Sequence, residues 1–271
     1  MPYRHAHYHL LLLIALTVIA FWPSYFATLG TATVAAHIHG FTASLWIALL
    51  AAQSWTIHHG HNALHRTVGT ASLAIFPFFL ASNLLIVQSM SWRFATVDNP
   101  FSAAHGARLA MLDIVATAGV AFLYWSGLRW RRKVHVHSRY LLATVFFLLA
   151  PVLARIFGLY VPGLKLAPPQ FANLPLNVEI VTVGALLLAV ALAWKAPKHG
   201  RPWLITAGFL AVQLAMFVTV GVSAPWENVV RAIGTLSPPL VFAVGLAAGT
   251  LLAWLGWSAV PPRQVRVAQA G

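Results

Sequence analysis

An all-α, polytopic membrane helix bundle of about eight transmembrane spans is the fold class this sequence predicts, and three observations predict it. The 271 residues are 60% hydrophobic and only 8% charged, with a mean hydropathy of +0.79, whereas soluble domains carry roughly 25% charged residues. Apolar runs of about 20 residues, the length that crosses a bilayer, recur along the whole chain. Lys and Arg gather in the short segments between alternate runs, as the positive-inside rule requires.

The first run, 9–26, follows Arg4 and has the look of a signal peptide from Leu10 to Ala20. Phe21, Trp22, Tyr25 and Phe26 then stand where a small-residue cleavage site would be needed, so a retained helix is expected. Runs at 34–57, 68–88, 106–127 and 139–160 follow, and Pro77 and Pro151 are expected to kink the third and fifth. The segment Leu159–Pro175 holds Pro162, Pro168, Pro169 and Pro175 and is expected to be irregular. The last three runs are 176–194, 203–222 and 236–257. In the last, Gly245 and Gly249 form a small-xxx-small pair, read as close packing within the chain or as a contact for a homo-oligomer. Trp22, Trp46, Trp55, Trp125, Trp194, Trp203, Trp254 and Trp257 are read as interfacial aromatics near span ends.

Basic residues set the orientation. Arg129, Arg131, Arg132, Lys133 and Arg139 lie between spans 4 and 5, and Lys195, Lys198 and Arg201 between spans 6 and 7. Both termini are therefore expected in the cytoplasm of a bacterial inner membrane. The same spread of charge explains the net +13 without a nucleic-acid partner; the partner is the lipid bilayer. One transmembrane domain, 1–271, is expected, with a functional core at 34–160 and a supporting half at 176–257, because twelve of the 13 His precede residue 138.

There are 0 cysteines, which excludes disulfides, thiolate-bound haem, covalent c-type haem and iron–sulfur clusters. Ligand capacity rests on histidine, at two levels. At the outer level His37 or His39 opens span 2, with His39 sharing a face with Trp46 and Gln53 at seven-residue spacing, and His105 opens span 4. Arg108, Asp113 and Arg155 fall at similar depth and are the candidate cofactor- or solute-binding residues, with Asp113 and Arg155 expected close together. Asn83, Gln88 and Glu179 join them on that side, which suggests a water-accessible cavity. At the inner level stand "HHGHNALHRTVG", with His58, His59, His61 and His65, and "HVHSRY", with His135 and His137. His39, His65, His105 and His137 are the candidate metal ligands.

From "LHRTVG" onward the chain resembles a group of uncharacterised bacterial polytopic membrane proteins with an H-R-x-x-G helix entry and a later helix running from His to A-R. His65, Arg66 and Gly69 match the first part; His137, Arg139 and Arg155 match the second; residues 34–157 carry the likeness. The helix layout is also similar to the two-haem cytochrome b membrane family. That likeness implies b-type haem held by His39 with His105 and by His65 with His137, Arg108 and Arg155 neutralising propionates, and electron transfer across the membrane to a redox partner. His65 and His137 depart from it by standing at or before their helix starts. Two alternatives are carried beside it: a transporter or receptor with an outward-facing polar cavity for a small solute, and a His-box enzyme dependent on a transition metal.

Overall fold

The computed structural model describes residues 3–97, 99–166 and 171–260. Among them the regular elements are all helical: α1 (Ala6–Phe21), α2 (Val34–His58), α3 (Asn62–Ala95), α4 (Pro100–Arg129), α5 (Val134–Ala143), α6 (Phe146–Tyr160), α7 (Leu174–Trp194), α8 (Arg201–Val218), α9 (Ala224–Gly234) and α10 (Pro238–Ser258), with 3-10 turns at Phe26–Thr31 and Val220–Val222. Seven helices are long and apolar enough to cross a membrane, counting α5 and α6 as one. This is the architecture of a multi-pass membrane protein. The apolar α1 is shorter, 16 residues.

Local chemistry sets the helix starts. Thr33 caps α2 by accepting the Ala36 N–H, and Asn99 caps α4 by accepting the Ser102 N–H, with Pro100 in the first turn where no N–H is needed. α3 starts at Asn62 and α4 at Pro100, several residues before the apolar runs that mark them in the sequence. His65 and His105 therefore lie inside their helices. α5 begins at Val134, which places His137 in its first turn as well. α3 passes through Pro77 as one helix. The fifth span breaks at Thr144–Val145, ahead of Pro151, where the N–H groups of both residues bond three residues back instead of four.

Side-chain pairs fix the packing register. α2 and α3 form an antiparallel hairpin, joined by Thr42 with Ser82 at one end and Gln53 with His65 at the other. α3 and α4 are antiparallel too, through Ser72 with Tyr124 and Phe94 against Gly106. α4 faces α8 through Arg108 with Phe217 and Leu112 with Gln213. Tyr3 and Val260, near the two ends of the described chain, both lie at the end of the bundle that carries His65: Tyr3 lines a cavity with His65, and Val260 accepts a bond from Arg131. Phe21, at the far end of α1, packs under Arg155, so α1 runs from the His65 end to the His39 end.

The glycine pair follows the first of its two readings, and one sequence expectation is corrected. Gly245 and Gly249 lie against Ala81 and Pro77 of α3, where an added Cβ would sit 2.6 Å from each Cα. Their close approach is within the chain, and neither is available to a second copy. Trp46 stands at the middle of α2, buried in the bundle, not near a span end, whereas Trp203 stands in the first turn of α8, buried and donating to the Tyr3 hydroxyl. Beyond expectation, α9 lies across the ends of α3 and α4. Trp226 donates to the Ala107 carbonyl, Arg231 sits over the Phe94 ring, and Gln88 donates to the carbonyls of Gly234 and Leu236.

Candidate functional site

Helix α2 carries one face through the whole bundle. His39, Trp46 and Gln53 follow at seven-residue steps, each about 10 Å further along the axis. The structure places a polar group at each end of that face and an aromatic plug between them.

At the His39 end, α2, α4 and α6 contribute His39, Asp113 and Arg155. All three are set within the bundle and are partly exposed. His39 stacks on Phe79, and its Nδ1 is buried with no hydrogen-bond partner among the described residues. His37 instead turns to the Tyr25 hydroxyl, 2.8 Å away. Arg155 donates to the Pro151 carbonyl at 2.7 Å and lies over the Phe21 ring. Its guanidinium is within electrostatic reach of both Asp113 and His39. Asp113 and Arg155 do not close as an ion pair. Among the described residues the one ion pair within 4.0 Å joins Arg108 to Glu179.

That pair separates Arg108 from the group it was expected to join. Arg108 also donates to the Phe217 carbonyl and covers the Phe217 ring, so it bridges α4 to α7 and α8. His105 is buried beside Phe101, which packs on Phe171 and on the apolar cluster of α6 and α7. His39 and His105 thus occupy different surroundings.

The middle of the bundle is closed by rings. Trp46 and Phe76 are 0% exposed, Phe79 1% and Tyr124 0%. Phe76 stacks on Tyr124 at 3.7 Å, and Trp46 meets all three. The polar atoms of the plug are satisfied: the Trp46 indole donates to Thr144 Oγ1, and the Tyr124 hydroxyl donates to the Ser72 carbonyl.

At the other end a cavity of about 50 Å³ is lined by Gln53, Ser54, His58, His65, His137 and Ser138, with Tyr3 and aliphatic side chains around them. The H-R-x-x-G entry has a physical role here. The Gln53 amide donates to the His65 carbonyl, the His65 ring donates back to the Gln53 carbonyl, and Gly69 lies beside the Gln53 side chain. Three rings share one arrangement: Nδ1 of His58, His65 and His137 contacts the carbonyl of Ser54, Gln53 and Gly127 respectively. A carbonyl only accepts, so each Nδ1 carries a proton, and Nε2 is the ring atom left for other partners. His58 Nε2, Ser54 Oγ and Ser138 Oγ are buried with no hydrogen-bond partner among the described residues. Nearby, the His135 and His199 rings stack, joining histidines far apart in sequence.

The resemblance to two-haem proteins makes a definite demand on space. His65 and His137 do line one cavity, but about 50 Å³ is far below the ~300–1,000 Å³ of pockets that enclose larger organic groups. The volume towards the His39 end is filled by the four rings of the plug. As placed, these residues do not fit a tetrapyrrole. Among the described residues no three His, Asp or Glu side chains come together as a metal-binding group. Comparison with protein-family models, with curated proteins and with solved structures gives no match.

Proposed function

We propose that the protein is a transporter of the bacterial inner membrane that moves a small polar solute or protons between two stations, one at His39, Asp113 and Arg155 and the other at His65 and His137. The observation that carries this reading is the continuous face of α2, with polar groups at both ends and Trp46 at the centre. Ionisable side chains set deep in a membrane bundle are costly, and they mark solute or proton pathways. The partly solvated Asp113 and Arg155, close but unpaired, leave room for a water or a solute that meets both charges. Trp46, Phe76, Phe79 and Tyr124 are the barrier such a path must open, and the break at Thr144, held by the Trp46 indole, is the flexible element beside it. The basic segments 129–133 and 195–201 favour a cytoplasmic side for the His65 end, where Tyr3 and Val260 also lie. The His39 end then faces outward.

The test is purified protein in lipid vesicles with a trapped pH dye, under an imposed pH gradient and membrane potential. Wild-type vesicles should pass protons faster than protein-free ones, and Asp113→Asn should remove the difference. Vesicles as tight as empty ones, with correctly folded protein in them, would overturn proton movement; solute-dependent quenching by small zwitterions would then decide for or against a solute.

A further inference from the structure

We infer that the cavity at the His65 end is a binding site for a small uncharged amine of the ammonia and methylamine class. This concerns what the cavity holds and stands whether or not anything crosses the plug.

The argument starts from unmet hydrogen-bonding capacity. Ser54 Oγ, Ser138 Oγ and His58 Nε2 line one cavity, are buried, and have no partner among the described residues. Buried polar groups are normally paired, so a group left over in a cavity points to an occupant. The occupant's chemistry follows from the tautomers. With Nδ1–H of His58, His65 and His137 committed to backbone carbonyls, each ring in its neutral form presents Nε2 as an acceptor. Gln53 places one of its two amide N–H groups on the His65 carbonyl, which leaves one N–H and the acceptor Oε1. The two serine hydroxyls can act either way. A site so rich in acceptors selects a ligand with more N–H donors than acceptors.

Charge and size narrow the class. The cavity lining contains no carboxylate. Arg131 lies within electrostatic reach of His137, and Arg139 covers the ring of Tyr3 in the cavity wall. Cations are disfavoured there, so the amine binds uncharged. A water needs about 10–15 Å³ of such space, so about 50 Å³ takes only a few heavy atoms. Leu50, Ile57, Leu141 and Leu142 complete the wall and suit a methyl group.

The probe is methylamine, added at fixed pH to the full chain in lipid with 15N-labelled histidine. Its expected effect is a saturable shift of the Nε2 resonances of His58, His65 and His137, with those of His39 and His105 unmoved. Single His→Asn variants assign the signals. The Ser54→Ala/Ser138→Ala double variant, which keeps all three rings, should weaken binding severalfold. Tetramethylammonium and tert-butylamine should give no shift, one being a fixed cation and the other too bulky. Unshifted resonances with methylamine, or water cross-peaks that it does not displace, would mean that the cavity holds water only and would overturn the inference. Equal shifts with tetramethylammonium would overturn it too. Because binding is read without any flux, a failure here is separable from a failure of the transport reading.

Discussion

Arg155 shows how one side chain organises a site inside an apolar bundle. A guanidinium cannot shed its charge, so it must be met by dipoles and counter-charge. The Pro151 carbonyl, the Phe21 ring and the nearby Asp113 do this from three directions. The two charges are coupled without touching, which makes a double-mutant cycle informative. Arg155→Gln and Asp113→Asn should each destabilise the protein, by up to the ~3–5 kcal/mol of a stranded buried charge. The double variant should lose less than the sum of the two, measured by thermal unfolding in detergent. Strict additivity would show that the two side chains do not sense each other. Sequence depth alone brought Asp113 and Arg155 to one level, because rise per residue is fixed in a helix. Which way a side chain points around its helix depends on the neighbours it meets. This is why Arg108, on the same level, turned out to serve Glu179 and Phe217. The same gap hid Ser54, Ser138 and Tyr124: a small or aromatic polar residue in an apolar run carries no mark of the cavity or plug it will line.

At the scale of the element, α10 is the clearest case of backbone chemistry deciding position. Its glycines let the α3 backbone approach so closely that any Cβ would clash with Ala81 or Pro77. Gly245→Val and Gly249→Val should each push α10 away and cost about 1–3 kcal/mol through overpacking, read as a lowered unfolding temperature. Gly184→Val and Gly208→Val, which meet nothing within 4 Å, are the controls and should be near neutral. Equal losses at all four would place the effect in helix propensity rather than in packing. Most helices were legible as apolar runs because the bilayer demands them. α9 was not, since its 11 residues carry Glu227 and Arg231 and only Val230 and Gly234 are buried. A short two-faced helix lying on the bundle leaves no long apolar signature. α3 and α4, at 34 and 30 residues, outran their apolar cores for the opposite reason: polar first turns, capped by Asn99 in α4, continue a helix beyond the run that announces it.

At the scale of the molecule, the question is whether the two polar ends communicate. A purely structural bundle would have no need of Trp46 where it stands. An aliphatic residue would fill the core without requiring Thr144 as a partner for the indole N–H. A transport path does need a dense, removable barrier, and the four-ring plug lies on the α2 face between His39 and Gln53. Two measurements on one preparation separate the remaining readings. The visible spectrum, oxidised and dithionite-reduced after growth with haem supplied, should show no Soret band; sharp low-spin α and β bands would restore electron transfer and overturn the space argument. In the same vesicles Trp46→Ala should raise proton leak above wild type, because it deletes the ring that touches the other three and frees the α5–α6 break. Trp46→Phe keeps most of the ring volume but loses the Thr144 bond. If the barrier is steric, it should stay as tight as wild type; if the indole bond latches the break, it should leak almost as much as Trp46→Ala. A Trp46→Ala protein that folds and stays as tight as wild type would mean that the plug is core packing and that the two polar ends act independently.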